Sequence, residues 1–309
     1  MLTIWKQKHK LIEIDNFERN CWVNVTNPIP EEIDRLIEEF RIPEDYIRDI
    51  LDADERSRTE AEGRWLMIII RIPVFRTDNG IPYITVPLGI LISPHSIVTI
   101  CLYENDVIRS ILYPVKTKAI NLENKINFVL ELFQRSSSQY LKYLKDINLR
   151  TNQIERDLER STKNKELQNL LRMEKCLVFF ITSLKSNEML LQKLQRSRFA
   201  SSEELDEDLL ADVIIETKQA IEMSQIYSDI QAGLMDAFAS LISNNLNVVM
   251  KQLTSITIIL MIPTLIASFF GMNLHNFIED SQYGFVSVVV GSLLLSIIGV
   301  LIFRRRQFF

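Results

Sequence analysis

Two long uncharged segments near the end of the chain constrain its fold more than any other feature. Residues 253–270 form a run of 18 without a charge, and residues 285–303 form a run of 19. About 20 apolar residues cross the ~30 Å hydrocarbon core of a bilayer, so each segment is long enough to span it. Core helices of a soluble protein reach the same length but rarely lack a polar face. The segments therefore predict two transmembrane helices.

The charges that flank these segments indicate their orientation. Lys251 precedes the first segment, and three arginines at residues 304–306 follow the second. The connecting loop, residues 273–284, carries only two charges, Glu279 and Asp280. Under the positive-inside rule the basic flanks stay in the cytoplasm. We therefore expect a multi-pass protein of the cell (inner) membrane with cytoplasmic N- and C-termini and an external loop.

The distribution of glycine and proline predicts long helices in the middle of the chain. Residues 115–232 contain neither, and these two residues interrupt regular structure most strongly. Ser201 and Glu204 have capping-box spacing, and a helix from about residue 203 to residue 270 would be on the order of 100 Å long. Its apolar stripe consists of Ile226, Ile230, Leu234, Ala237 and Leu241. A helix of this length usually coils with partners or enters a membrane.

The first third of the chain has the pattern of an α/β domain. Three short apolar runs rich in β-branched residues predict strands, at residues 65–70, 84–92 and 96–102. Pro87 interrupts the second run, which therefore predicts an edge strand or a bulge there. Pro30 and Pro43 are each followed by acidic residues, as in the first turn of a helix.

These observations predict an α/β cytoplasmic head followed by long α-helices and two C-terminal transmembrane helices. The predicted segments are a cytoplasmic α/β domain (1–115), a cytoplasmic helical region (116–202), a long stalk and pore helix (203–272) with the first span at 253–272, an outer loop (273–284), a second span (285–303) and a basic cytoplasmic tail (304–309).

Composition and motifs argue against several classes of protein. The net charge of −5 gives no support to nucleic-acid binding, which expects a basic face. Three scattered cysteines form no disulfide framework, and no apolar signal-peptide core follows the charged N-terminus, so secretion is not expected. The three histidines are isolated, and the chain lacks H-E-x-x-H, G-x-S-x-G and phosphate-binding glycine-rich motifs. We expect no enzymatic activity.

A short motif at the end of the first span carries a family resemblance. Gly271, Met272 and Asn273 close this span and are followed by a short loop, one further span and a basic C-terminus. This arrangement resembles the CorA family of divalent-cation channels. Residues 243–251 are similar to the inner pore entrance of that family, and residues 48–52 with the arginine at position 56 are similar to a stretch of its cytoplasmic domain.

The resemblance implies a homopentameric funnel in which five long helices line a pore and five second helices lie outside. It implies that Mg²⁺ is transported and that Gly271, Met272 and Asn273 form the selectivity filter at the outer mouth. Neutral amide oxygens suit an ion that loses its waters reluctantly, because conduction requires weak sites. Glu279 and Asp280 would concentrate cations outside. Without the resemblance, an ordinary helix C-cap is the preferred explanation of Asn273.

The same resemblance assigns the pore lining. Residues spaced by three or four lie along one helix face: Asn247, Met250, Thr254, Thr257, Met261 and Thr264. It implies polar rings at Asn247 and Thr264 and hydrophobic constrictions at Met250 and Met261. The alternative is an ordinary helix–helix contact. Ile262 separates Met261 from Pro263, unlike the usual family pattern, which leaves the orientation of Thr264 open.

Regulation by cytoplasmic Mg²⁺ is also implied by the resemblance. Asp49 and Asp212 match a pair of acids that bridge neighbouring subunits through a metal ion, and Asp236 matches a further ring of carboxylates. A divalent ion between paired acids removes their repulsion and would hold the funnel closed. The alternative for each residue is a solvated surface acid.

Two other functions remain open at this stage. A zinc or cobalt/nickel transporter of the same superfamily would share the architecture. A membrane-anchored scaffold with coiled-coil helices would conduct no ions. Since no nucleotide site is present in the sequence, the membrane potential would drive uptake; a divalent ion gains about 4–5 kcal/mol per 100 mV.

Overall fold

A computed structural model describes residues 1–8, 10–76, 80–113, 121–160, 164–196, 205–272 and 282–305. It divides into two compact units, Met1–Leu234 and Met235–Phe309. The predicted boundary near residue 115, the predicted capping box at Ser201 and Glu204, and the predicted loop residues 273–281 lie outside the described residues.

The elements follow one another in the order predicted, with additional strands. The strands are β1 (Leu2–Gln7), β2 (Leu11–Ile14), β3 (Cys21–Thr26), β4 (Arg58–Glu62), β5 (Trp65–Phe75), β6 (Tyr83–Ser93) and β7 (Ser96–Cys101). The helices are α1 (Pro30–Glu38), α2 (Glu44–Leu51), α3 (Asp106–Leu112), α4 (Lys125–Arg160), α5 (Asn164–Arg196), α6 (Glu207–Phe270) and α7 (Gly284–Arg305).

The seven strands form one mixed sheet in the order β2-β1-β3-β7-β6-β5-β4. Only the β3–β7 pairing is parallel; the other neighbours are antiparallel. Both faces of the sheet are covered. Helices α1 and α2 pack on one face, and α3, α4, α5 and the first turns of α6 contribute to the core on the other. The α/β prediction for this part of the chain is confirmed.

Strand β5 shows how the sequence supplies both cores. Its side chains alternate between the two faces: Ile68 and Ile70 join the core beneath the long helices, whereas Met67 and Ile69 join the core beneath α1 and α2. All four are fully buried. A strand buried on both faces has a continuous apolar sequence, since every second residue points to the opposite side.

Pro87 lies in an interior strand, but at a point where that strand is paired on one side only. Strand β6 lies between β5 and β7, and Pro87 pairs with Arg71 of β5. The β6–β7 pairing begins one residue later, where Leu88 pairs with Cys101. Proline lacks an N–H, so it fits an interior strand where the neighbouring strand has already ended.

Helix α2 is held against the sheet by a close contact. Ile50 of α2 is fully buried, and it lies over Gly89 of β6. A Cβ atom at position 89 would come within 2.3 Å of the Ile50 Cδ1 atom. Only glycine allows this approach, so the contact sets the position of α2 on the sheet.

The predicted helical middle of the chain is confirmed as α4, α5 and α6. Helix α6 begins at Glu207, later than the predicted start near residue 203. Asp206 caps its N-terminus, because the Asp206 Oδ1 atom accepts a hydrogen bond from the Leu209 N–H at 2.9 Å. Side chains join it to its neighbours within the first unit. Ser137 and Thr217 hydroxyls lie 2.9 Å apart, joining α4 to α6.

The second unit contains the C-terminal part of α6 and all of α7. Both α6 and α7 are long and apolar enough to cross a membrane by length and composition. They contact each other at Gly299 of α7, where a Cβ atom would lie 3.5 Å from Ile262 and 3.8 Å from Ile259 of α6. The small residue lets the helices approach closely.

Candidate ion pathway and metal-binding residues

The six predicted pore residues lie on an exposed face of α6. The spacing 3-4-3-4-3 continues through residues 247, 250, 254, 257, 261 and 264, and every one of these side chains is exposed in the single chain. A repeat averaging 3.5 residues keeps one seam of a helix facing its partners in a left-handed supercoil. The pattern is therefore suited to a ring of parallel copies of α6.

Helix α7 covers a different face of α6. The residues on that side are Ser255, Ile259 and Ile262. Ser255 is buried, and the side chains of both isoleucines lie next to Gly299 of α7. At about 100° per residue, this face is roughly opposite the six predicted pore residues. The contact between α6 and α7 therefore leaves the predicted pore face uncovered.

The threonines on this face present oxygen acceptors. Each hydroxyl donates to a backbone oxygen four residues earlier: Thr254 to Met250 at 2.8 Å, Thr257 to Leu253 at 2.8 Å and Thr264 to Leu260 at 2.9 Å. A hydroxyl that has donated its proton keeps its lone pairs as acceptors. Such oxygens can accept hydrogen bonds from the water shell of a cation.

Pro263 does not end the helix. α6 continues to Phe270 with this proline in its interior. Proline has no N–H to donate to the carbonyl of Ile259, four residues earlier, so one helical hydrogen bond is absent. Thr264 follows directly, is exposed, and stays in the seam that contains Met261. The extra Ile262 has not rotated Thr264 onto the α7 side.

The predicted filter begins where α6 ends. The Gly271 N–H donates to the Ala267 oxygen at 2.9 Å, and the Met272 N–H is 3.4 Å from the Phe269 oxygen. A Cβ atom on Gly271 would lie 3.2 Å from the Ala267 oxygen, tighter than most real contacts. Asn273, Glu279 and Asp280 lie outside the described residues.

Asp236 lies on the same side of α6 as Asn247. Eleven residues separate them, which is close to three helical turns, and both side chains are exposed. A carboxylate at this position of a helix ring would face the same axis as the pore residues. Its role as a ring carboxylate stays a prediction.

Asp49 lies on α2 and is held by an arginine that the sequence analysis did not identify. Arg58 Nη2 donates to Asp49 Oδ2 at 2.5 Å, and Arg58 Nε donates to Glu55 Oε1 at 2.9 Å. The third nitrogen of the guanidinium, Nη1, pairs with Glu60. Burial disfavours the charged guanidinium, but the hydrogen bonds to Glu60 and Glu55 outweigh that cost and raise the pKa of Arg58.

The loop between α2 and β4 is anchored by two further residues that sequence reasoning missed. Asn187 of α5 accepts the Ser57 hydroxyl proton at 2.7 Å and the Arg71 N–H at 2.9 Å, and it donates to the Arg71 oxygen at 2.8 Å. The Arg71 guanidinium donates to the oxygens of Ala53 and Glu55 at 3.0 and 2.6 Å. Strand β4 ends before it reaches Arg71, so Asn187 satisfies the backbone of β5 there.

Asp212 lies on α6 with an exposed side chain. In the part of the chain that the structure describes, its carboxylate forms no ion pair, and no group of three or more His, Cys, Asp or Glu side chains is arranged to hold a metal ion.

The chain thus combines an α/β unit with two C-terminal helices that are long and apolar enough to cross a membrane. The family model described as "CorA-like Mg2+ transporter protein" matches residues 17–305. The chain belongs to this family. Its members are ion transporters, which confirms the expectation that the chain is not an enzyme.

Two curated relatives and one solved structure illustrate the match. The chain is 29% identical to the cobalt/magnesium transport protein CorA of Methanocaldococcus jannaschii, covering 96% of this chain and 94% of that one. It is 24% identical to the protein of the same name from Thermotoga maritima, covering 93% and 82%. The complete structure of the M. jannaschii CorA magnesium transporter superposes with a TM-score of 0.80 at 24% identity, covering 99% of this chain and 98% of that chain. The predicted fold class is confirmed.

Proposed function

We propose that the chain is the subunit of a magnesium channel that admits Mg²⁺ across the membrane along the electrical potential. The observation that carries the proposal is the exposed seam of α6, which α7 leaves uncovered and which leads directly to Gly271 and Met272. Family membership and the names of the curated relatives support Mg²⁺ as the ion. Those names also support Co²⁺ as a second permeant ion.

The proposed assembly is a homopentamer in the cell membrane, with cytoplasmic termini. Its support within the chain is the predicted apolar stripe of α6, which a single chain leaves open: Ile226 and Ile230 are 54% and 50% exposed. Large exposed apolar patches on a protein usually mark interfaces, and a closed symmetric ring buries the same patch on every subunit. The number five rests on the family resemblance.

The proposed outer filter is a ring of Gly271, Met272 and Asn273. A side chain at position 271 would crowd the Ala267 oxygen, which supports a backbone role for the glycine. Neutral amide oxygens of Asn273 would accept hydrogen bonds from hydrated Mg²⁺ without stripping its waters. Glu279 and Asp280 would raise the local cation concentration at this mouth.

The proposed pore alternates polar and apolar rings. Asn247, Thr254, Thr257 and Thr264 would accept hydrogen bonds from the ion's water shell. Met250 and Met261 would form narrow apolar rings, which close by losing water. The acceptor-only threonine hydroxyls support a preference for cations, because the negative ends of their dipoles face away from the helix.

The proposed regulation places cytoplasmic Mg²⁺ between subunits, where Asp49 of one chain meets Asp212 of the next, with Asp236 as a further ring. The exposure of the Asp212 side chain supports this proposal, because it leaves the carboxylate available to a neighbouring chain. Bound metal would hold the closed state, and loss of metal would release it.

The test is Mg²⁺ influx into proteoliposomes with an inside-negative potential, comparing the natural chain with Asn273→Ala at low internal Mg²⁺. Influx in the natural chain that is lost in the variant and suppressed by internal Mg²⁺ is the expected result. Equal influx in both proteins would exclude Asn273 as the filter. Transport of Zn²⁺ without Mg²⁺ would favour a zinc transporter, and no flux of any divalent ion would favour a scaffold.

A further inference from the structure

We propose that Arg58 is a built-in competitor for the metal at Asp49, and that it sets the cytoplasmic Mg²⁺ concentration at which the channel closes. This inference rests on the proposed regulatory role of Asp49. Arg58 is the counter-ion of Asp49 when no metal is bound, and the metal must displace it from one carboxylate oxygen.

The geometry of the pair supports direct competition. The Arg58 Nη2 atom lies 2.5 Å from Asp49 Oδ2, so this oxygen already has a strong charged donor. The Arg58 and Asp49 side chains are 34% and 30% exposed, so the pair is partly shielded from solvent while remaining open to an ion. Like charges repel, and a divalent ion at the same oxygen cannot coexist with the guanidinium at this distance.

Arg58 remains paired when it leaves Asp49. Glu55 and Glu60 occupy its other nitrogens, so the displaced guanidinium does not become an unpaired, partly buried charge. One arginine shared by three carboxylates leaves this cluster with a net charge of −2, from three negative charges and one positive. The cluster therefore still attracts a divalent cation in its arginine-bound form.

The surroundings of the pair are fixed, so the arginine side chain is the part able to move. Ile50 holds α2 against Gly89 of β6, next to Asp49. The Arg71 guanidinium holds the backbone oxygen of Glu55 at 2.6 Å. An arginine side chain has several rotatable bonds and can shift from Asp49 towards its remaining partners without movement of the backbone.

The test is the inhibition of channel current by Mg²⁺ applied to the cytoplasmic face of excised membrane patches that contain the full-length protein. Arg58→Gln is expected to lower the half-inhibitory Mg²⁺ concentration roughly three- to tenfold, because it removes a competing charge from a partly exposed site. Arg58→Lys keeps the positive charge but cannot pair with three carboxylates, and is expected to lower the half-inhibitory Mg²⁺ concentration about twofold. Arg58→Lys is also the variant to use if Arg58→Gln does not fold.

Arg48→Gln is the matched control. Arg48 precedes Asp49 in the sequence but pairs with Asp45 at 2.6 Å, and both side chains are well exposed. This variant removes one positive charge from α2, the helix that carries Asp49, without removing the ion pair between Asp49 and Arg58 of β4. Its half-inhibitory concentration is expected to stay at the natural value, because salt screens exposed charges. An equal shift in Arg48→Gln and Arg58→Gln would overturn direct competition.

Failure of the inference can be distinguished from failure of the proposed regulation. If the natural channel is insensitive to cytoplasmic Mg²⁺, or if Asp49→Asn leaves its inhibition unchanged, the regulatory role of Asp49 is wrong. If Asp49→Asn weakens inhibition but Arg58→Gln leaves the half-inhibitory concentration unchanged or raises it, the role of Arg58 is wrong. The same comparison is available without ion flux, by measuring the unfolding temperature of detergent-solubilised protein at increasing Mg²⁺ concentrations. The Mg²⁺ concentration that gives half of the stabilisation is expected to be lower in Arg58→Gln by the same factor.

Discussion

Replacing Gly89 by alanine is expected to destabilise the cytoplasmic unit and displace α2. The added Cβ atom would lie 2.3 Å from Ile50 Cδ1, 2.4 Å from Cγ1 and 2.7 Å from Cγ2, whereas ordinary contacts are 3.4–4 Å. Relief requires a movement of about 1 Å, the difference between these distances. Ile50 is fully buried, and β6 lies inside the sheet, so neither side has free space to yield.

Overpacking of this kind costs about 2–3 kcal/mol. For a unit of this size, that corresponds to a fall in unfolding temperature of roughly 5–10 °C, measured by intrinsic tryptophan fluorescence in detergent. Because Asp49 is adjacent to Ile50, the same substitution is expected to raise the half-inhibitory Mg²⁺ concentration in excised patches. Gly233→Ala is the matched control, since a Cβ atom at this helical glycine meets nothing within 4 Å.

A double-mutant cycle separates the contact from general damage. Ile50→Ala alone is expected to cost about 2–5 kcal/mol by leaving a cavity. In the double mutant Gly89→Ala, Ile50→Ala, the new methyl group fills part of that cavity. The double mutant should therefore lose about 1–3 kcal/mol less stability than the sum of the losses in the two single mutants. Strict additivity, or a natural unfolding temperature for Gly89→Ala alone, would refute the claim that this contact fixes α2.

Two further predictions concern the loop anchor and the pore. Asn187→Ala is expected to lower the free energy of unfolding by about 2–3 kcal/mol, because the Arg71 N–H loses its hydrogen-bond acceptor. Thermal unfolding measures this loss. Asn187→Asp retains the acceptor oxygen and should lose less stability than Asn187→Ala. Asn247→Ala is expected to reduce the Mg²⁺ current in excised patches. Asn245→Ala, on a different face of α6, is expected to leave the current unchanged. Equal effects of the two substitutions would contradict the assignment of the pore face.

The fold was predictable where local pattern determines structure. Strands β5, β6 and β7 are continuous apolar runs, and helices α4, α5 and the first part of α6 lie in the region without glycine or proline, so these elements were identified. Strand β4 was missed because its sequence, RTEAE, is polar and mostly exposed at the sheet edge. Such a strand forms because β5 lies beside it, and pairing of that kind leaves no apolar signal in the sequence.

The candidate site divides in the same way. The seam of α6 follows from helical spacing, which needs no knowledge of the fold. Arg71 and Asn187 were not predicted, because their contacts join β5 to α5 and to the loop after α2. The partners of Arg58 lie within nine residues of it, but their pairing depends on the turn between α2 and β4, which no local pattern predicted. Asn187 lies 116 residues from Arg71 in the chain. No local pattern marks an asparagine that substitutes for a missing strand partner.

The pairing of Asp49 with Arg58 changes the physical picture of the proposed regulatory site in its metal-free state. Two facing acids without metal would repel each other, and this repulsion alone would drive neighbouring subunits apart. With Arg58 on Asp49, the net charge of the cluster of Asp49, Glu55, Glu60 and Arg58 is −2 and not −3, so loss of the metal creates a smaller repulsion of the facing acid than it would without the arginine. It follows that Arg58→Gln should tighten closure by Mg²⁺ and, at zero Mg²⁺, increase the repulsion that separates the subunits, which gives a steeper response at a lower concentration.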